Sequence, residues 1–169
     1  MKHLRRYLPL LALLLMLAGS ITSCRDTGVR DALVRAEALM ESDPHAARAV
    51  LDSLNPQSSS PIPNSSFLIP NFTKRDAALY ALLRTQADYK CNIRLTSDSL
   101  PLFATNYFGT RRKAQRAALA QYYLGCAYSD MHRDLDAIDA LLRATTLFPD
   151  TTNKYFANCL FELGLLYSN

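Results

Sequence analysis

Tryptophan is missing from this chain of 169 residues, glycine occurs five times and histidine three times. Each scarcity excludes something. So few glycines leave little room for the tight turns of a β-rich fold. Without tryptophan the commonest aromatic platform for stacking on sugars is gone, although nine tyrosines remain. The first histidine, His3, belongs to the N-terminal leader, and His45 and His132 read as surface residues with no second ligand at metal-binding spacing. No phosphate-cradling glycine loop and no Gly-x-Ser-x-Gly elbow occurs. The carboxylates Asp134, Asp136 and Asp139 crowd the start of a helix, where negative charge complements the helix dipole. The expectation is a chain without enzyme activity, cofactor or metal.

What is present begins with a targeting segment, "MKHLRRYLPLLALLLMLAGSITSC". Lys2, Arg5 and Arg6 form a basic start, and the apolar run from 8 to 18 is too short to span a bilayer as a mature helix. Residues 1–23 therefore read as a signal peptide. Its removal takes three of nineteen cations and no acid, leaving sixteen against fifteen, or +1. A basic nucleic-acid surface is not expected, and "TRRKAQR" at 110–116 reads as the solvated start of a helix. "ITSC" resembles a bacterial lipobox. That resemblance implies lipid on the thiol of Cys24, with several acyl chains giving the firm membrane hold that one chain does not. It also implies a lipoprotein of the bacterial cell envelope, and no acidic run follows Cys24, which favours the periplasmic face.

Helical periodicity runs through the mature chain. "VRDALVRAEALME" at 29–41 places Leu33, Ala36 and Met40 on one face. Asp43 and Pro44 then suit the cap and first residue of a second helix with Ala47, Val50, Leu51 and Leu54 buried. Residues 24–55 thus form a first antiparallel hairpin. The stretch 56–72 holds four of the eight prolines and a serine run, and reads as a loop. From 73 onward two more hairpins are expected, then a seventh helix over 154–168. Ser97 and Gly109 bracket the helix that closes the second hairpin, and Leu135, Ile138, Leu141 and Leu142 are expected on the inner face of the helix that closes the third.

Within "AQYYLGCAYSD" at 120–130, Gly125 interrupts a strong helix at a cost of about 1 kcal/mol against alanine. The pattern returns 39 residues later, where Phe161, Leu163, Gly164, Tyr167 and Ser168 follow Tyr122, Leu124, Gly125, Tyr128 and Ser129. Leu124, Gly125, Tyr128, Ala137, Leu141, Ala144 and Pro149 stand at the offsets of the tetratricopeptide repeat, which this segment resembles; Leu163, Gly164 and Tyr167 begin a further copy. Most of the mature chain is similar to the N-terminal part of Bacteroidetes tetratricopeptide-repeat lipoproteins. The resemblance implies an all-α fold, with about seven helices in antiparallel hairpins stacked as a right-handed solenoid. It also implies close helix approach at Gly125, and a concave groove for a protein or peptide partner with Tyr122, Cys126, Ser129, Phe161 and Leu165 as candidate lining, packing against the neighbouring hairpin being the alternative for the apolar ones. Two rivals remain open: the periplasmic sensor part of a longer signalling protein, and a glycan-binding nutrient-uptake lipoprotein. Beyond Cys24, the odd set Cys91, Cys126 and Cys159 fits no closed disulfide framework, and Cys126 and Cys159 read as small buried apolar residues.

Overall fold

The computed structural model describes residues 28–54, 72–110 and 114–168. The signal peptide, Cys24 with its lipobox, residues 56–71 of the Pro/Ser-rich loop and the basic residues 111–113 lie outside the described residues. Among those described are seven α-helices and no strand. Helix α1 spans 28–39, α2 Pro44–Leu54, α3 Lys74–Lys90, α4 Ser99–Gly109, α5 Ala114–Asp130, α6 Asp134–Leu147 and α7 Lys154–Ser168. The helices pack in sequence-adjacent pairs, giving an all-α, repeat-like fold. Odd-numbered α3, α5 and α7 also touch in succession, whereas α2, α4 and α6 do not touch one another.

Local chemistry sets the helix boundaries. The Asp43 carboxylate accepts from the Ala46 N–H at 2.9 Å, and the Thr73 hydroxyl accepts from the Asp76 N–H at 3.1 Å, satisfying donors that the first turn leaves free. Helices α3 and α5 end alike. Ile93 N–H donates to the Asp88 carbonyl and Arg133 N–H to that of Tyr128, both at 2.9 Å, while Asn92 and His132 take left-handed φ values of 56° and 58°. Neither turn spends a glycine. At α4 the cap position falls on Asp98 without a side-chain bond, and Ser97 Oγ instead accepts from Ser99 N–H at 3.2 Å.

Helix α3 is the centre of the molecule, buried continuously from Ala77 to Ala87. Helices α2, α4 and α5 all pack against it, so burial is not confined to one face. Its polar residues are accordingly engaged. Arg84 Nε donates to Asp88 at 2.8 Å and also pairs with Asp52, Arg48 Nε donates to the other Asp88 oxygen at 2.8 Å, and Thr85 Oγ1 donates to the Ala81 carbonyl at 2.9 Å. This charge cluster joins α2 to α3.

Gly125 lies directly against α6. A Cβ there would stand 2.7 Å from Leu141 Cγ and 3.3 Å from the Ala137 carbonyl oxygen. Losing about 1 kcal/mol of helix propensity is outweighed when Leu141 is fully buried in exchange, at roughly 1.5–3 kcal/mol. The inner face of α6 differs from the expected one. Ala137, Ala140, Leu141 and Ala144 are buried, whereas Leu135 is 83% exposed and Leu142 points largely outward. Alanines supply most of this contact, because a glycine notch on α5 admits a close-lying helix and only one large side chain.

Candidate functional site

The odd-numbered helices converge on one recess. Glu37 of α1, Met40 and Glu41 just after it, Gln86 of α3, Gln115 and Leu119 of α5, and Asn153, Lys154 and Tyr155 at the start of α7 enclose about 540 Å³. That volume falls within the roughly 300–1,000 Å³ of ligand clefts.

Glu41 is the electrostatic hub. Its carboxylate accepts from Lys90 Nζ at 3.0 Å and also from Lys154 Nζ and the Tyr155 hydroxyl. Burial alone would raise this carboxyl, but the three donors prevail and bring its pKa down to about 2, so it is ionised at neutral pH. One turn earlier Glu37 accepts from Arg116 Nη2 at 2.9 Å through both oxygens. Helix α1 is thereby joined to α3, α5 and α7 together, and the row of odd helices curls until its two ends meet.

Behind the recess lies a tyrosine cluster. The Tyr155 hydroxyl accepts from Gln86 Nε2 at 2.9 Å and from the Tyr123 hydroxyl at 3.3 Å, and Tyr89 donates to Glu162 at 2.8 Å. Tyr89, Tyr122, Tyr123 and Tyr155 meet edge to face with centroids 4.9 to 6.4 Å apart. Burial raises all four phenols above their ordinary range, raises the Cys126 thiol, and pushes that of Cys159 up to about 12. At neutral pH the phenols and thiols are thus uncharged, and the Glu41 carboxylate is held ionised between two ammonium groups.

The residues expected in a groove are dispersed. Tyr122 and Cys126 are 2% and 3% exposed, core residues rather than groove lining, because α7 lies across them. Ser129 is half-buried, and Phe161 and Leu165 are exposed on the outer side of α7, away from the recess. Among the signature residues Leu124, Ala137, Leu141, Ala144 and Leu163 are buried, while Tyr128 is half-buried beneath the Arg133 guanidinium at 4.3 Å. Pro149 is exposed just beyond α6. Gly164 and Tyr167 are exposed, so the second glycine, unlike the first, receives no neighbour.

Sequence reasoning missed Glu41, Gln86, Lys154 and Tyr155. Glu41 and Lys154 are 113 residues apart, and no local spacing announces such a pair. Asp136 and Asp139 hold Arg133 and Arg143 in surface ion pairs. His132 Nε2 lies 2.9 Å from Arg94 Nη2 in an exposed turn. The described cysteines are free, with Cys91 partly exposed and the other two buried. Among the described residues no group of three or more His, Cys, Asp and Glu side chains is placed to hold a metal ion, and no helix is long and apolar enough to cross a membrane. The chain matches no protein-family model, no curated protein and no solved structure.

Proposed function

We propose that this chain is an interaction module of the bacterial cell envelope, lipid-anchored through Cys24, that holds a protein or peptide segment in the recess between α1, α3, α5 and α7. One observation carries the reading: four helices contribute amides, paired charges and apolar surface to a single open concavity. Gln115 and Asn153 offer amide groups to a peptide main chain, Met40, Leu119 and the Tyr155 ring offer apolar contact, and Lys154, which with Lys90 shares the single carboxylate of Glu41, leaves net positive charge beside the recess for a carboxylate. The lipobox-like "ITSC" supports the anchor, and the tetratricopeptide-like signature of α5 and α6 supports a binding role for stacked hairpins.

Two measurements test the two halves of this reading. A photo-crosslinking residue at Leu119, compared with one at the exposed Arg143, should yield a discrete adduct in intact cells only from the recess, and Gln115→Trp should suppress it. Equal labelling from both positions would remove the recess as the binding site. Labelled palmitate should enter the wild-type chain and not Cys24→Ser; incorporation that ignores the substitution would remove the anchor.

A further inference from the structure

Two buried thiols stand in the joint that holds α7. Helix α6 turns back after residues 131–133 and α7 turns back again after 148–153, so α5 and α7 run parallel, and they touch. Aromatic rings fix their register: Tyr122 meets Tyr155 with centroids 5.6 Å apart, and Tyr123 meets the same ring at 6.1 Å. One helical turn further along each helix come Cys126 and Cys159, 3% and 0% exposed and both free. Burial does most to raise both thiols, Glu162 raises each further, and Cys159 raises Cys126, which requires the three groups to be near neighbours. Glu162 is itself held by the Tyr89 hydroxyl, whose ring packs on Tyr122.

We infer that Cys126 and Cys159 form a reversible disulfide that locks α7 onto α5, and with it the wall of the recess that α7 supplies. Helices packed about 8–10 Å apart bring facing Cα atoms into the range of about 4.4–6.8 Å that a disulfide spans. Cys91, the remaining described cysteine, lies at the end of α3 beside Arg48 and Asp88, on the α2 side. Helix α7 has the most to gain from a covalent tie. Its buried stripe is Tyr155, Cys159 and Leu163, with the thiol at the centre, and Asn153, Lys154 and Tyr155 at its start line the recess.

The chemistry is thiol–disulfide exchange, with a small-molecule or protein disulfide as the oxidant. One cysteine thiolate attacks that disulfide, forming a mixed disulfide and releasing the first half of the oxidant as a thiol. The second thiolate then attacks the cysteine sulfur of the mixed disulfide and releases the other half. The two cysteine protons and two electrons end on the two released thiols. Because both cysteines are buried and protonated, exchange starts only when α7 lifts from α5, so the bond captures the helix when it returns and prevents further opening. The bond depends on neither the occupant of the recess nor the anchor; only an oxidising compartment as its place of formation rests on the proposed envelope location.

The test exposes the full chain to oxidised glutathione in native buffer and in urea at the foot of the unfolding transition. Mass spectrometry of non-reduced digests should show a bridge between Cys126 and Cys159, formed faster in urea, with Cys91 outside it. The bridged chain should melt at a higher temperature than the reduced one, and dithiothreitol should reverse the rise. Cys126→Ala and Cys159→Ala should each abolish the oxidant-dependent rise, while Cys91→Ala and the recess variant Gln115→Trp keep it. Each variant is compared with itself with and without oxidant, so any stability lost to the substitution leaves the readout intact. Thiols that stay unbridged in both conditions, a bridge that takes in Cys91 or Cys24 instead, or a Cys126–Cys159 bond that lowers the melting temperature would overturn the inference.

Discussion

Helices α5 and α7 carry nearly the same motif in different surroundings. On α5 the stretch from Tyr122 to Ala127 is buried without interruption, with α6 against Gly125 and α7 against Tyr122. On α7 only Tyr155, Cys159 and Leu163 are buried, a single narrow stripe facing the preceding helices. An apolar residue contributes to stability only as far as neighbours remove it from water, so equal letters do unequal work. What distinguishes the two helices is the number of helices laid upon them.

The sharpest way to break this comparison is to truncate matching aromatics. Tyr122→Ala should cost about 3–5 kcal/mol in chemical denaturation, as large-to-small changes in a packed core do, whereas Phe161→Ala should stay within about 0.5 kcal/mol of wild type. Equal losses would mean that α7 is covered in solution. The two glycines should then respond in opposite directions. Gly125→Val forces its Cβ against Leu141 and should cost about 1–3 kcal/mol, while Gly164→Ala should stabilise by about 0.5–1 kcal/mol through helix propensity alone.

Smaller effects sharpen the account of how α7 is held. Tyr155→Phe removes the hydroxyl shared by Glu41, Gln86 and Tyr123, and should cost about 1–2 kcal/mol, partly from the unsatisfied Gln86 amide. Native-state alkylation should modify Cys91 well before Cys126 and Cys159, whose burial keeps their thiols protonated. Equal rates would show that the α5–α7 contact opens readily.

The Glu41 hub gives the smallest effect, and its sign follows from linkage. The folded pKa of about 2 lies below the ordinary 4.5, so the stabilisation is fully present above about pH 4.5 and is lost as pH falls through 2. The stability gap between wild type and Glu41→Gln should therefore be widest near neutrality and close in acid. The carboxylate is partly exposed, so solvent screens the gap. A gap constant from pH 7 to 2 would show that charge does not hold α1 to α7.

Particular residues show how far sequence reading reached. The spacing of Asp43 and Pro44, of Leu33, Ala36 and Met40, and of Gly125 with Ala137 and Leu141 was enough to expect helices in hairpins with a close crossing, and the structure has them. It misled on α6, where Leu135 and Leu142 looked like core because hydrophobic periodicity does not distinguish an alanine stripe from a leucine stripe a third of a turn away. At Tyr122 and Cys126 two readings stood side by side, groove lining by resemblance and packing against a neighbouring hairpin, and the structure has the packing, beneath α7. The recess itself was invisible, since Glu37 and Glu41 at the end of α1, Gln86 of α3 and Lys154 of α7 lie far apart in the chain and each alone looks like a solvated polar residue.

By itself the sequence determined the elements and their local pairing. Caps, helical periodicity and a glycine opposite a leucine act over a few residues, or across a short turn, and need no knowledge of the rest of the chain. Only the tertiary structure decided which copy of the repeated motif is core and which is surface, and that Glu41 meets Lys154 and Tyr155. Those outcomes depend on the curvature of the odd-numbered row, which sums the packing of every helix pair and leaves no trace in any one of them.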